Sequence, residues 1–256
     1  MAFLARAEAV TGKLDEAQLT LQAAENLLVG EEFPAEELPA IESARIRCWI
    51  ENSRLFLLKN IPSQARNALG KAWSLAVPAN ADQFTVEIAQ LMAVVDPPKR
   101  QEEWLRKAIE IGQSSPHPKA RERLAQLRLS LAWKFFDLRQ FEQALACLRE
   151  ALDSLPPGAK TERHFCRWSI GRTLRALNRE EEALTVQKKL LLEAELDHEP
   201  DGRVFEEMAE CLQALSRTQE AQGYFEQAYN ELSKKDWVKD HHPLKLKRLK
   251  DLGKVR

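Results

Sequence analysis

The side chains with most chemistry to offer are five histidines, four cysteines and a run of aromatic rings and arginines between residues 133 and 175. The histidines do not assemble into a reactive set. His117 lies between two prolines, and His198 sits beside Glu199 and Pro200. His241 and His242 are adjacent in a connecting segment, which makes a weak metal site. Only His164 falls within helical periodicity, between Arg163 and Arg167, where it suits a flanking contact better than a general base. Cys48, Cys147, Cys166 and Cys211 are scattered without a C-x-x-C pair, as expected of small buried hydrophobes in a reducing cytoplasm. The glycines are dispersed singly, so no phosphate-cradling loop is present, and neither H-E-x-x-H nor G-x-S-x-G occurs. The acidic run Glu180–Glu182 opens a helix, where carboxylates complement the helix dipole. Catalysis, a metal and a cofactor are therefore not expected. What remains is broad rings and forked guanidinium donors, the residue types that dominate binding interfaces.

These residues sit in a repeating frame. A small residue is followed 12 positions later by a second anchor, 16 later by a bulky apolar one and 19 later by a third. Ala132–Ala144–Leu148–Ala151 and Ala209–Ala221–Phe225–Ala228 show it most clearly. Ser53–Ala65–Leu69–Ala72 and Ala5–Ala17–Leu21–Ala24 repeat it. Ala89 leads to Gln101, Leu105 and Ala108, and Gly171 to Ala183, Gln187 and Leu190. With the first anchor taken as position 8, the units start from Ala5, Ser53, Ala89, Ala132, Gly171 and Ala209, separated by 48, 36, 43, 39 and 38 residues. Spacers vary while the unit interior does not, as expected of stacked hairpins that touch only their neighbours. Small residues at positions 8 and 20 let two helices approach. Trp49, Phe56 and Leu69, then Leu131, Phe135 and Leu148, then Phe205, Met208, Leu212 and Phe225 fill the space between hairpins.

Breaker segments at 30–39, 77–82, 114–118, 155–160 and 197–202 separate the units. Within hairpins, Asp15, Ser63, Asn178 and Thr218 are expected N-caps, with Asn178 and Glu181 spaced as a capping box. The leading helix of the first unit is expected to be short, or the chain to be cut from a longer one. At the other end Pro243 suits the first position of a last helix, with Leu246, Leu249 and Leu252 on one face and Lys245, Lys247, Arg248 and Lys250 around the rest. This basic stretch is expected to be a solvated capping helix rather than a nucleic-acid or acidic-lipid contact. Residues 234–256 carry nine Lys/Arg against three Asp, in a chain of net charge −1. With 44% hydrophobic and 30% charged residues, and no run approaching 18 apolar residues, the composition is that of a soluble globular chain without signal peptide or membrane span.

The pattern resembles the tetratricopeptide repeat family, W-x-x-L-G-x-x-Y followed by A-x-x-x-F-x-x-A and a closing proline. Residues 131–156 match best, with Ala132, Phe135, Ala144, Leu148, Ala151 and Pro156 in the family's slots, and residues 204–232 nearly as well. The resemblance covers almost the whole chain and is weakest in the third unit, where Gln101 takes the alanine slot. Units longer than the family's usual ~34 residues are similar to the irregular repeats of bacterial regulators and sensors. The implied fold is an all-α, right-handed α-solenoid of six helical hairpins plus a C-terminal capping helix. It forms one domain over 1–256, with units at about 1–29, 40–76, 82–113, 118–155, 160–197 and 201–234 and the cap at about 243–253.

In that family the first helix of each unit lines a concave groove through positions 2, 5, 9, 12 and 13. The resemblance implies groove positions for Arg47, Ile50, Arg54 and Leu57, then Gln83, Val86, Gln90 and Ala93. Units four and five supply Gln126, Leu129, Trp133, Phe136 and Asp137, then Phe165, Trp168, Arg172 and Arg175; unit six supplies Arg203, Glu206, Glu210 and Gln213. Arg54, Gln90, Trp133, Phe136, Phe165, Trp168, Arg172 and Arg175 are the candidate binding residues. The alternative is that Trp133 and Trp168 simply pack against adjacent first helices. The carboxylate clamp of chaperone-binding members is not matched, since the position 5 and 9 pairs are Ile50/Arg54, Val86/Gln90, Leu129/Trp133, Trp168/Arg172 and Glu206/Glu210. The expected role is a cytoplasmic, non-enzymatic scaffold for a peptide or protein with apolar anchors and an acidic residue, without nucleic acid or membrane, and with weak self-association possible. The second expectation is an effector- or peptide-sensing module of a larger bacterial regulator.

Overall fold

The structure is a computed structural model and describes residues 1–28, 33–196 and 198–255. The breaker residues 30–32 and Asp197, and the end of the first unit at Val29, lie outside the described residues. All regular structure among the described residues is helical. The chain divides into two compact units, Met1–Leu127 and Arg128–Arg256.

The first unit contains three antiparallel helix pairs: α1 (Ala2–Val10) with α2 (Leu14–Leu28), α3 (Leu38–Leu58) with α4 (Pro62–Ala76), and α5 (Asp82–Val95) with α6 (Pro98–Ser114), followed by the one-turn α7 (Pro118–Arg121). The second contains most of α8 (Leu124–Asp137) with α9 (Phe141–Ser154), α10 (Lys160–Ala176) with α11 (Glu180–Leu196), and α12 (Gly202–Ala214) with α13 (Thr218–Leu232). The short α14 (Asp236–His241) and α15 (Pro243–Gly253) close it.

The small anchors lie where the helices of each pair meet. Ala5, Ala17, Ser53, Ala65, Ala89, Ala132, Ala144, Ala183, Ala209 and Ala221 are all essentially inaccessible. Close approach at these points lets Leu69, Leu148, Met208 and Phe225 fill the layers between pairs, at densities typical of protein interiors. Gly171 is the tightest contact: a Cβ there would come within 2.3 Å of the Gln187 side-chain amide. Gln187 is wholly buried, donates to the Trp168 carbonyl at 3.3 Å, and leaves its own carbonyl oxygen without a partner among the described residues.

The turns inside the hairpins share a feature that the expected N-caps did not anticipate. Gly12, Asn60, Arg139, Asn178 and Ser216 each have positive φ, and each stands two residues before the next helix. The following amide reaches back five residues: Lys13 to Glu8, Ile61 to Phe56, Gln140 to Phe135, Arg179 to Leu174 and Arg217 to Leu212, at 2.8–3.0 Å. This is the Schellman closure of the preceding helix. The turn chemistry therefore serves the end of one helix rather than the start of the next. Asp15 and Ser63 fall inside the first turns of α2 and α4, Thr218 is the first residue of α13, and Asn178 is the left-handed residue after α10, so none of the four is an N-cap. Hairpin three departs from the rule. Asp96, at the equivalent position, is extended because Pro97 and Pro98 follow it. Its buried carboxylate accepts from Trp104 Nε1 at 2.8 Å and pairs with Arg66.

α15 covers the last hairpin by burying Leu249 fully, while Gly253 lies against the backbone of Phe225 and Glu226. Lys245 pairs with Glu206 at 2.6 Å, and Arg248 pairs with Glu210. Half the basic stretch is thus tied to the neighbouring first helix, and the rest is solvated.

Candidate functional site

Three first helices of the second unit, α8, α10 and α12, supply a continuous set of rings and guanidinium groups. Residues three and four apart share a helix face, so Trp133 and Phe136 project together from α8, as do Phe165, Trp168, Arg172 and Arg175 from α10. Phe165 and Trp168 stack at 5.4 Å with an interplanar angle of 26°. Trp133 lies 6.0 Å from Trp168 and 6.4 Å from Phe165, and meets Phe136 edge-on at 5.3 Å. Phe136 in turn meets Phe141 edge-on at 5.1 Å. Four of the expected residues therefore form one aromatic surface. Their accessibility differs: Trp168 is 6% exposed and donates its indole N–H to the Arg203 carbonyl at 3.1 Å, whereas Trp133, Phe136 and Phe165 remain partly open to solvent.

Two guanidinium groups cover these rings. Arg172 lies 5.5–5.7 Å from the centroids of Trp133, Phe136 and Trp168. Arg203 lies 5.5 Å from Phe165 and from Trp168. Arg203 is held by Asp201, which accepts from its Nε and Nη2 at 3.1 and 2.8 Å. Asp201 also caps α12 by accepting from the Arg203 amide at 2.9 Å, and meets His164 Nε2 at 3.2 Å. Burial alone would push the Asp201 carboxyl up, but the hydrogen bonds from His164 and Arg203 hold it well below the usual carboxylate range.

Arg175 turns away from the rings. Its guanidinium forms a two-pronged pair with Glu207, at 2.9 and 3.1 Å, and Glu207 is 2% exposed. Arg172 approaches the same carboxylate only at 3.9 Å. Arg54 and Gln90 belong to the first unit, where Glu87 gathers them. Arg54 pairs with Glu87 and with Glu51 (2.6 Å); Arg123 pairs with Glu87 at 2.9 Å and donates to Gln90 at 3.3 Å.

These pairs follow a rule that a groove-centred reading of the sequence misses. Glu51, Glu87 and Glu207 all occupy position 6 of their first helices, and all are buried. Each faces the arginine at position 9 of the preceding hairpin: Arg6 for Glu51 (3.9 Å), Arg54 for Glu87 and Arg172 for Glu207. A buried carboxylate is costly unless a cation is paired with it. Burial raises the Glu51 carboxyl above its ordinary value despite Arg54 and Arg6. The signal was present as Glu at position 6 recurring one unit after Arg at position 9. At position 6, units four and five carry Ser130 and Ser169 instead, and it is there that the rings replace charges.

Among the described residues no three His, Cys, Asp or Glu side chains are grouped to hold a metal ion, and no helix is long and apolar enough to cross a membrane.

No protein-family model and no curated protein sequence matches the chain. Solved structures do. A signal transduction ATPase with numerous domains and a tetratricopeptide repeat sensor, from Pyrococcus horikoshii, superposes with a TM-score of 0.71 at 12% identity, over 97% of this chain and 38% of that one. This chain thus spans well under half of that protein. BtubC (BKLC) from P. vanneervenii gives 0.69 at 16% identity, over 87% and 90% of the two chains. The apo quorum sensor NprR from B. thuringiensis gives 0.67 at 13%, over 97% and 67%; NprR in complex with its cognate peptide NprX gives 0.54, also at 13%. At these identities the likeness concerns the fold, which is an α-solenoid of the tetratricopeptide repeat type.

Proposed function

We propose that the chain is a non-catalytic interaction module that holds a peptide or protein segment on the first-helix face of α8, α10 and α12, in the groove implied by the repeat. The observation that carries this reading is the partly open aromatic surface of Trp133, Phe136 and Phe165, backed by buried Trp168 and overlaid by Arg172. Rings already fixed by packing lose little freedom on binding, and aromatic residues with arginine are the usual anchors of interfaces. Arg175, Arg54 and Gln90 lie on the same kind of face but are engaged with Glu207 and Glu87, so they enter the proposal as residues that shape the surface. The buried acids are each matched to arginines, which supports binding over acid–base chemistry.

Nucleic acid and membrane are not proposed as partners, and a cytoplasmic setting with four free thiols fits the reading. Weak self-association remains part of it, supported by Phe3 and Leu4, both more than half exposed. The second reading, a sensing module within a larger regulator, is supported by the Pyrococcus sensor and by NprR, which is solved with a peptide.

The test is selection of a phage-displayed random-peptide library on the full chain. Enriched peptides should carry apolar or aromatic residues, and Trp133→Ala should weaken them by about 2 kcal/mol or more while the helical circular dichroism is kept. Peptides that bind Trp133→Ala and Phe165→Ala as tightly as the parent protein would show that the surface is not the binding site.

A further inference from the structure

Arg172 differs from the other arginines around the aromatic surface. Arg203 has both prongs on Asp201, and Arg175 has both on Glu207. Arg172 donates no hydrogen bond to any described residue. Its nearest carboxylate, Glu207, lies at 3.9 Å and is already matched by Arg175, and Glu206, whose charge also acts on Arg172, is matched by Lys245. Yet Arg172 is not a loose surface residue. Its side chain is 36% exposed, and three rings from two helices surround its guanidinium. Ring faces attract the cation but accept no directed N–H bond from its edge. The result is a positioned positive charge with free donors in apolar surroundings, where a charge-assisted, two-pronged bond is stronger than in water.

We propose, resting on the groove reading above, that Arg172 is the receptor for one carboxylate of the bound segment, and that this carboxylate is an internal aspartate or glutamate side chain with apolar residues on both sides. An anion is called for because the Arg172 donors have no acceptor among the described residues, Glu207 being held by Arg175 and Glu206 by Lys245. The flanking follows from the placement of the rings. Rings of two helices lie within 5.7 Å of Arg172, Trp133 and Phe136 from α8 and Trp168 from α10, and Phe165 extends this surface by stacking on Trp168. A chain terminus brings apolar contact from one direction only, whereas an internal residue brings neighbours on both sides of it onto the rings of α8 and α10.

The test uses three synthetic pentapeptides of alanine and phenylalanine, each with a variable central residue. One has central glutamate with both ends blocked, one central glutamine with both ends blocked, and one central glutamine with a free C-terminus. Binding is followed through the indole N–H resonances of Trp133 and Trp168 in the full chain. The blocked glutamate peptide should bind at least tenfold more tightly than the blocked glutamine peptide. Arg172→Gln should remove that preference, and Arg172→Lys should restore only part of it, because an ammonium lacks the planar fork. Equal binding of the two blocked peptides overturns the proposal, as does no binding by any of the three at millimolar concentration. A preference for the free C-terminus alone overturns the assignment to a side chain. If library-selected peptides depend on Trp133 but not on an acidic residue, the groove reading stands and the Arg172 proposal falls.

Discussion

Replacing Glu207 by glutamine tests whether the buried acids hold successive hairpins together. Glu207 is 2% exposed and accepts two charge-assisted bonds from Arg175, whose side chain is 28% exposed. Removing one member of a fully buried pair typically costs 3–5 kcal/mol, because the other charge is left without compensation. The partial exposure of Arg175 lets water recover some of that loss, so about 2–3 kcal/mol is expected. The assay is urea denaturation followed by far-ultraviolet circular dichroism, with the variant scored by its midpoint, since stacked hairpins need not melt in one step. The double variant Arg175→Met with Glu207→Leu supplies the decisive comparison. An apolar pair of similar volume should recover most of the stability, because neither charge is then desolvated. If Glu207→Gln shifts stability by less than about 0.5 kcal/mol, the ion pair is a surface-grade contact and the ladder reasoning is wrong. If the double variant is as unstable as the single, packing rather than charge explains the loss.

Other expectations follow from the turns and the core. Gly171→Ala should cost about 1–3 kcal/mol by overpacking against the Gln187 amide, and Gln187→Leu should raise the thermal midpoint by removing an unpartnered carbonyl; a neutral Gly171→Ala would contradict the close approach. Arg139→Gly should stabilise by roughly 0.5–1 kcal/mol, since φ of 59° strains a residue with a side chain, and denaturation with no gain would show the strain to be absent. Asp201 has a depressed carboxyl in the folded protein, so its contribution is full above the unfolded value of about 3.9 and is lost as pH falls toward the lower folded value. The stability gap between the parent protein and Asp201→Asn should therefore be constant near neutrality and close below about pH 4; a gap that widens in acid would reverse the sign of this linkage.

How much of this could be seen in the sequence depended on the range of the interaction. Side-chain size at fixed spacing is local, so Ala132, Ala144, Leu148 and Ala151, all buried, already marked the interior of the best-formed hairpin. The aromatic surface was legible for the same reason, since Trp133/Phe136 and Phe165/Trp168 each lie three residues apart on one helix. Of the four expected N-caps, Asn178 misled because asparagine serves two competing roles near helix ends, and there the left-handed closure of the preceding helix prevails, while Asp15, Ser63 and Thr218 are the first or second residues of the helices they were expected to cap. The ion-pair ladder is written across units, so a reading confined to one unit passes over it. Arg54 finds Glu87 33 residues on, and Arg175 finds Glu207 32 residues on, so each partner lies in the next hairpin. Arginines that looked like free donors in one unit are the counterions of the unit that follows.

The direction of that ladder gives the hairpins an order. Each buried position 6 acid meets a cation of the hairpin before it, so the units are not exchangeable modules even though their backbones repeat. A version of the chain with α10–α11 excised would bring Trp133, the position 9 residue of the preceding hairpin, to where Arg172 now meets Glu207. An anion would then be sealed against an indole, and shortening this array by one hairpin should cost more than the contacts that hairpin contributes.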